Sequence, residues 1–275
     1  MSGRPFTRPA LALAFVAAAV FAGAGTREDD LLAAIRKGDV AAVKALLDQG
    51  VAVDTRFRYD RTPLSFAADR GQVEMVKLLL DRGADPDAED TFYHQTALGW
   101  SAYKGNADVV SLLLAHNAKG VGDALLSGIY AKKPAVIDVV LATGRINARD
   151  LSYALQAAER NEAPEIVERL RKAGAVPPPK ADAKVDAAVL ARYVGKYRQE
   201  SGTEEFELSL ADGGLQATFG GRTFKMGAID DRHFQHMEAD GVTLEMRLEA
   251  DRVVGGTVTE IGSEKRYLRV EAPKP

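Results

Sequence analysis

Thr62-Pro63-Leu64-Ser65-Phe66-Ala67-Ala68-Asp69-Arg70-Gly71, continuing from Gln72 through Leu78-Leu79-Leu80-Asp81-Arg82-Gly83 to Ala84, is a stretch that this chain of 275 residues repeats. Moved forward by 34 positions it matches the segment that starts at Thr96, pairing Leu64 with Leu98, Gly71 with Gly105, Val76 with Val110, Leu79 with Leu113 and Ala84 with Ala118. Moved back by 33 positions it matches Ala33–Asp54, pairing Gly71 with Gly38, Leu79 with Leu46 and Gly83 with Gly50. A fixed period of this length marks a stack of small supersecondary units, none of which can bury its apolar face alone.

The spacing inside one unit predicts two short antiparallel helices. Val73, Val76, Leu79 and Leu80 fall at helical intervals and form one apolar stripe. Pro63 stands where a first helical turn tolerates a missing N–H. Gly71 and Gly83 follow the two helices, where a left-handed residue ends a helix at little cost to glycine. Ala67 and Ala68 are small enough for close helix approach. Two weaker units follow: Ala131–Ile137 and Asn161–Val167 carry Pro134 and Pro164 at matching places, and Gly144 and Gly174 align with Gly83.

These segments resemble ankyrin repeats, with TPLSFA standing where that family has T-P-L-H-x-A, so that Ser65 replaces the usual histidine. Five units are expected at about 28–54, 57–87, 91–120, 121–147 and 149–176, within a repeat domain spanning 27–176. The resemblance implies binding of a protein partner by the loop tips between helix pairs and by the adjoining face of the first helices. Residue by residue it points to Arg58, Tyr59, Arg61, Asp69 and Arg70 in one unit, and to Phe92, Tyr93, Gln95, Tyr103 and Lys104 in the next. Tyr, Phe and Arg are common interface anchors, and loops on a rigid scaffold are favoured binding positions. Phe57, Phe92 and Trp100 could equally pack between repeats; for Trp100, aligned with Phe66, partial burial is expected.

Pro177-Pro178-Pro179 stops the helical pattern, and residues 177–184 read as an extended spacer. Beyond it, in 185–272, one short helix near Asp186–Arg192 precedes eight short runs separated by turn signals such as Asp212-Gly213-Gly214, Gly220-Gly221 and Asp240-Gly241. Thr243–Leu248 alternates with period two, so one face is buried and one wet. The fold expected is an α-solenoid followed by a small antiparallel β-barrel-like or curved-sheet domain. The segments Leu190–Arg198, Glu207–Phe219 and Val258–Val270 are similar to a lipocalin-like domain appended to beta-lactamase-related serine hydrolases. In that family the hydrolase carries the chemistry, so the resemblance implies an accessory or binding module.

The remaining composition narrows the function classes. With 46% hydrophobic and 27% charged residues, wholesale disorder is not expected. A net charge of -3 without a basic patch argues against nucleic acid. There is no cysteine, which excludes disulfides, thiolate metal sites and a cysteine nucleophile. His233 and His236 stand three apart on a predicted strand, so their rings should diverge, and no metal, cofactor or catalytic group is expected. Arg4 and Arg8, the apolar run Ala10–Ala22 and Ala22-Gly23-Ala24 read as a signal peptide over 1–24, cleaved near Ala24; the run is shorter than the ~20 residues that a membrane helix needs. The sequence thus predicts an exported, non-catalytic and monomeric interaction protein of a bacterial periplasm or secreted fraction, without stable membrane insertion. Two alternatives are a carrier of a small apolar ligand in the β domain and an accessory subunit of an envelope hydrolase.

Overall fold

The computed structural model describes residues 26–270; the expected signal peptide lies outside them. Ten helices form five antiparallel pairs: α1 Arg27–Lys37 with α2 Val40–Asp48, α3 Pro63–Asp69 with α4 Val73–Asp81, α5 Ala97–Lys104 with α6 Ala107–Ala115, α7 Val121–Tyr130 with α8 Pro134–Ala142, and α9 Ala148–Arg160 with α10 Pro164–Lys172. First helices stack on first helices and second on second.

The caps explain why each unit starts where it does. Thr62 Oγ1 accepts the Ser65 amide at 3.1 Å, and Ser65 Oγ accepts the Thr62 amide at 3.1 Å. The serine that departs from the family signature therefore completes a reciprocal cap. Pro63, Pro134 and Pro164 all occupy the first turn of their helices. Gly38, Gly71 and Gly105 carry positive φ after the first helices of units one to three; Lys132 and Glu162 carry it in the last two units, with φ of 55° and 50°. A side chain there costs about 1 kcal/mol, and its acceptance is why the repeat pattern fades in sequence while the backbone persists.

One apolar seam runs through all five units, with Leu31, Leu64, Leu79, Leu98, Leu113, Leu125, Ile137 and Leu155 among its buried side chains. Met75, which interrupts the predicted stripe, is fully buried, whereas Val73 and Leu80 lie at the partly buried margin. Amide side chains stitch the units together: Gln72 Nε2 donates to Ile35 O at 2.9 Å, Asn106 Nδ2 to Ala68 O at 2.8 Å and Asn161 Nδ2 to Ile129 O at 2.8 Å. Surface ion pairs such as Lys44–Asp48 and Arg169–Asp138 are screened by solvent and add little. Each buried Leu or Ile contributes about 1.5–3 kcal/mol, so the seam dominates.

After a short helix, α11 Ala187–Tyr193, eight antiparallel strands pair in chain order: β1 Gly195–Gln199, β2 Glu205–Ala211, β3 Gly214–Phe219, β4 Arg222–Ala228, β5 His233–His236, β6 Thr243–Glu249, β7 Arg252–Glu260 and β8 Ser263–Val270. Lys196 pairs with Val270 and Gln199 with Tyr267, so β1 meets β8 and the sheet closes on itself. Tyr197, Phe206, Leu208, Phe234 and Tyr267 fill the interior, and Leu190 and Tyr193 of α11 pack into the same core.

The two regions are packed against each other. Ile261, in the turn between β7 and β8, is 3% exposed and belongs to the helical core. It arrives there because Gly122 of α7 lacks a Cβ: one added at that position would lie 2.1 Å from Ile261 O and 2.9 Å from Gly262 Cα. Arg149 of α9 donates to Gly241 O at 2.9 Å, Thr243 Oγ1 at 2.7 Å and Thr259 O at 3.1 Å. Asp150 accepts the Gly262 amide at 3.0 Å, and Gln235 bonds Gln156 at 2.9 Å. The proline-rich segment runs along the barrel, where the Ala183 amide donates to Ala228 O at 2.9 Å.

Gly122→Ala tests this packing. In an isolated helix the change is favourable by about 1 kcal/mol, so a loss of docking cannot be blamed on the helix. The expected outcome is a larger radius of gyration by small-angle X-ray scattering and faster proteolysis within 177–186, with circular dichroism unchanged. An unaltered scattering curve would contradict the close approach.

Candidate functional site

The ten residues predicted from sequence fall on the loop tips and first helices of the second and third units, but their environments differ. Tyr59, Phe92, Tyr93 and Tyr103 are exposed by 43%, 57%, 61% and 55%. The Tyr59 and Phe92 rings lie 4.9 Å apart, Phe92 and Tyr93 4.5 Å, and Tyr93 and Trp100 5.5 Å, so one aromatic chain crosses two loop tips. Phe57 turns inward and meets Phe66 edge-on at 5.8 Å.

Arg61 does not project from its loop. Its guanidinium lies 4.1 Å from the centre of the Phe66 ring and 4.6 Å from that of Trp100, and reaches Asp69 at 3.5 Å. Cation–π contacts of this kind contribute about 0.5–2 kcal/mol, so Arg61 joins the units rather than awaiting a ligand. Asp69 also receives Lys104 at 3.6 Å. Arg58 donates to the Tyr59 hydroxyl at 2.6 Å and lies 4.6 Å from the ring centre. Arg70 is exposed where α3 ends. Gln95 is half-buried, its Oε1 lying where a Cβ on Gly99 would come within 1.9 Å.

A residue absent from the sequence-based selection organises this surface. Asp90, 3% exposed, accepts the amides of Phe92 at 3.0 Å and Tyr93 at 2.6 Å, and the Trp100 indole N–H at 2.8 Å. Burial alone would raise its carboxyl, but the Tyr93 amide, the Trp100 indole, the Phe92 amide and the Arg61 charge outweigh it and hold the group below the usual carboxylate range. The available signal was an aspartate two and three positions before aromatic residues, the spacing of a side-chain-to-backbone turn. The loop tips are also tied to each other: the Thr91 amide donates to Tyr59 O at 2.9 Å, and the Lys119 amide to Asp87 at 2.8 Å. Tyr59 itself is held at φ 61° and ψ 30°.

Two adjoining hollows lie beside the aromatic chain. One of about 450 Å³ is walled by Tyr93, Trp100, Tyr103 and Lys104; the other, of about 340 Å³, by Glu89, His94, Asp123 and Tyr130. They share Gln95, Gly99 and Ser127, so together they form one groove between α5 and α7. The barrel bounds its far end, where the Tyr130 hydroxyl donates to Asp240 at 3.1 Å and Arg160 reaches the same carboxylate at 3.1 Å. Burial, then the Asp240 charge, holds that tyrosine up at about 12, so it remains a donor.

A third hollow, of about 630 Å³, opens at the barrel end that faces the helical units and is lined by Phe219, Phe224, Val242, Val258 and Tyr267. His236 belongs to it; its Nδ1 accepts the amides of Glu238 at 3.0 Å and Ala239 at 2.9 Å, which leaves the ring proton on Nε2. Burial lowers this imidazole's pKa and keeps it neutral. His233 is instead bound at 2.9 Å to Asp230, so the two rings do diverge. Among the described residues no three His, Asp or Glu side chains are grouped to hold a metal, and no helix is long and apolar enough to cross a membrane.

The family model for ankyrin repeats (three copies) matches residues 23–90. Among curated proteins, the chain is similar to an ankyrin repeat, SAM and basic leucine zipper domain-containing protein 1 from Atelerix albiventris, 46% identical over 52 residues, covering 19% of this chain and 11% of that protein. The namesake from Dasypus novemcinctus is 32% identical over 120 residues, covering 40% and 25%. The chain thus spans a quarter or less of the length of these relatives. Among solved structures it is similar to the human ASB11 ankyrin repeat domain, with a TM-score of 0.47, 24% identity, and coverage of 53% of this chain and 69% of that one. The helical half of the chain carries ankyrin repeats, and an antiparallel β region follows it.

Proposed function

We propose that the protein is an exported, non-catalytic interaction module that engages a protein partner through the loop tips and groove of its second and third repeats. Ankyrin repeats as a class serve protein–protein interaction, which gives the coarse reading. The observation that carries the finer one is the exposed aromatic chain Tyr59–Phe92–Tyr93–Trp100, anchored from below by Asp90. An exposed run of large rings on a rigid base offers contact area at small entropic cost. Holding Tyr59 in the left-handed region costs about 1 kcal/mol, an expense that fits presentation better than packing. The export part of the reading rests on the charged, apolar and small-residue succession within 1–24. Edman sequencing of the chain isolated from an envelope or culture fraction checks it: a start near Gly25 or Thr26 is expected, and an intact Met1 would contradict it.

A second reading is favoured by the barrel mouth. Its apolar walls and the Nε2–H of a neutral His236 suit a small apolar ligand bearing one acceptor. Native mass spectrometry of the purified chain separates the readings: a retained small molecule supports the carrier, and a bare mass supports the interaction module.

For the principal reading, Tyr59→Ala with Tyr93→Ala is expected to abolish crosslinked capture of the partner from the native fraction, with Tm within about 2–4 °C of the parent. A collapse of Tm would show that the rings are structural. Asp90→Asn tests the anchoring. A carboxyl depressed below the usual carboxylate range adds stability that is present above that range and lost as pH falls through the lower folded value. The variant is therefore expected to be less stable than the parent at neutral pH, with the gap closing in acid; a gap independent of pH would contradict a charged Asp90.

A further inference from the structure

The groove between α5 and α7 is aromatic at one end and acidic at the other. Tyr93, Trp100 and Tyr103 wall the first part. The second part is lined by Glu89 and Asp123, and Glu260, at the end of β7, lies close enough to act on Asp123. The cationic side chains of the aromatic end are already engaged: Arg61 and Lys104 both reach Asp69. At the acidic end the reverse holds. Among the described residues no Lys or Arg forms an ion pair with the carboxylates of Glu89, Asp123 or Glu260; Arg56 donates only to the Glu89 backbone carbonyl, at 3.3 Å, and His94 and Tyr130 line the same hollow. Partial burial, then the charges of Glu260 and Glu89, pushes the Asp123 carboxyl above the usual carboxylate range, while the residue as a whole stays exposed. Gly122, next to Asp123, meets the Ile261 carbonyl, next to Glu260, so the carboxylates lie at one end of the groove, and all three are exposed; a cation there would complement their charge.

The floor and the size of the groove restrict what can lie in it. Gln95, Gly99 and Ser127 are shared by both hollows, with the Gln95 amide laid over Gly99. Two small adjoining hollows of about 450 and 340 Å³ admit an extended chain more readily than a helix about 10 Å across. The far end is closed by the barrel, whose turns sit on α7 and α9 and so occupy the first-helix face of the last two repeats. A partner lying in the groove therefore ends near the place where the β7–β8 turn, next to Glu260, meets α7 at Gly122.

We propose that the occupant is an extended, basic segment of the partner protein, with an apolar or aromatic residue against Trp100 and Tyr103 and a Lys or Arg among Glu89, Asp123 and Glu260. This deepens the interaction reading and rests on it. Because Glu260 comes from the barrel, the seat is completed by both domains, and the barrel takes part in recognition rather than capping the array alone.

The test uses the full chain and a peptide library displayed on phage, selected against the parent, against Glu89→Gln/Asp123→Asn/Glu260→Gln, and against Tyr93→Ala/Tyr103→Ala. Peptides pairing an aromatic or proline with Arg or Lys are expected from the parent alone. For the best Arg peptide, replacement of Arg by citrulline, which keeps the shape and removes the charge, is expected to weaken binding to the parent at least tenfold. The same replacement should leave binding to the triple amide variant unchanged. Equal binding of the Arg and citrulline peptides would overturn the charge assignment while leaving the interaction reading standing. So would selection of acidic or uncharged peptides that still depend on Tyr93 and Tyr103. If no selected peptide depends on those tyrosines, or if the chain alone dimerises in sedimentation through this face, both the proposal and the reading beneath it fail.

Discussion

The architecture depends on a contact that only glycine permits. At Gly122 the backbone of α7 meets the β7–β8 turn so closely that a single carbon would displace the Ile261 carbonyl. That approach lets Ile261, a barrel residue, close the apolar seam of the helical array. It also brings Arg149 within reach of three acceptors on the barrel. Arg149 is half-buried, and a guanidinium that satisfies several acceptors at once is specific about where its partner must lie. The barrel's position then fixes the end of the groove and sets Glu260 beside Asp123.

Energetically, the molecule has two cores and a shared margin. The helical seam is continuous from Leu31 to Leu170, so each unit relies on its neighbours, as stacked repeats do. The barrel has its own interior built around Tyr197, Phe206 and Tyr267. The Tyr197 ring stacks on Phe206 at 4.8 Å with the planes 9° apart, and Tyr267 meets Phe206 edge-on. With no cysteine to cross-link either part, packing and hydrogen bonds carry the stability. Such a scaffold can hold side chains in costly states at its surface, and it does so at Tyr59 and Asp60, both left-handed.

Much of the fold could be read from residue order, for reasons that also explain the rest. Helix starts were visible where proline marks a first turn, as at Pro63, Pro134 and Pro164. Strand alternation was visible because a pleat repeats every two residues, as in Thr243–Leu248. The end of the first helix in units four and five was hidden, because Lys132 and Glu162 adopt a conformation that glycine normally advertises. Burial of Met75 was missed because the stripe was drawn through Val73, one side of the true face. In the candidate site the exposed tyrosines were legible from their polar neighbours. Arg61 was not, because Trp100 becomes its neighbour only when units stack; nor was Asp90, whose carboxylate is folded onto the Phe92 and Tyr93 amides and the Trp100 indole by the loop's own turn. The docking of the barrel had no periodic signature at all, since Gly122 and Ile261 are brought together by the whole fold.

The barrel is fixed on the first-helix face of the last two repeats and is not tethered loosely by its proline-rich segment. Because the chain has no cysteine, two can be introduced for spin labelling at Glu74 and Lys225, exposed positions in different domains. Electron–electron double resonance between them should give one narrow distance distribution. A broad distribution, as a flexible tether produces, would contradict the docked arrangement and the composite groove with it.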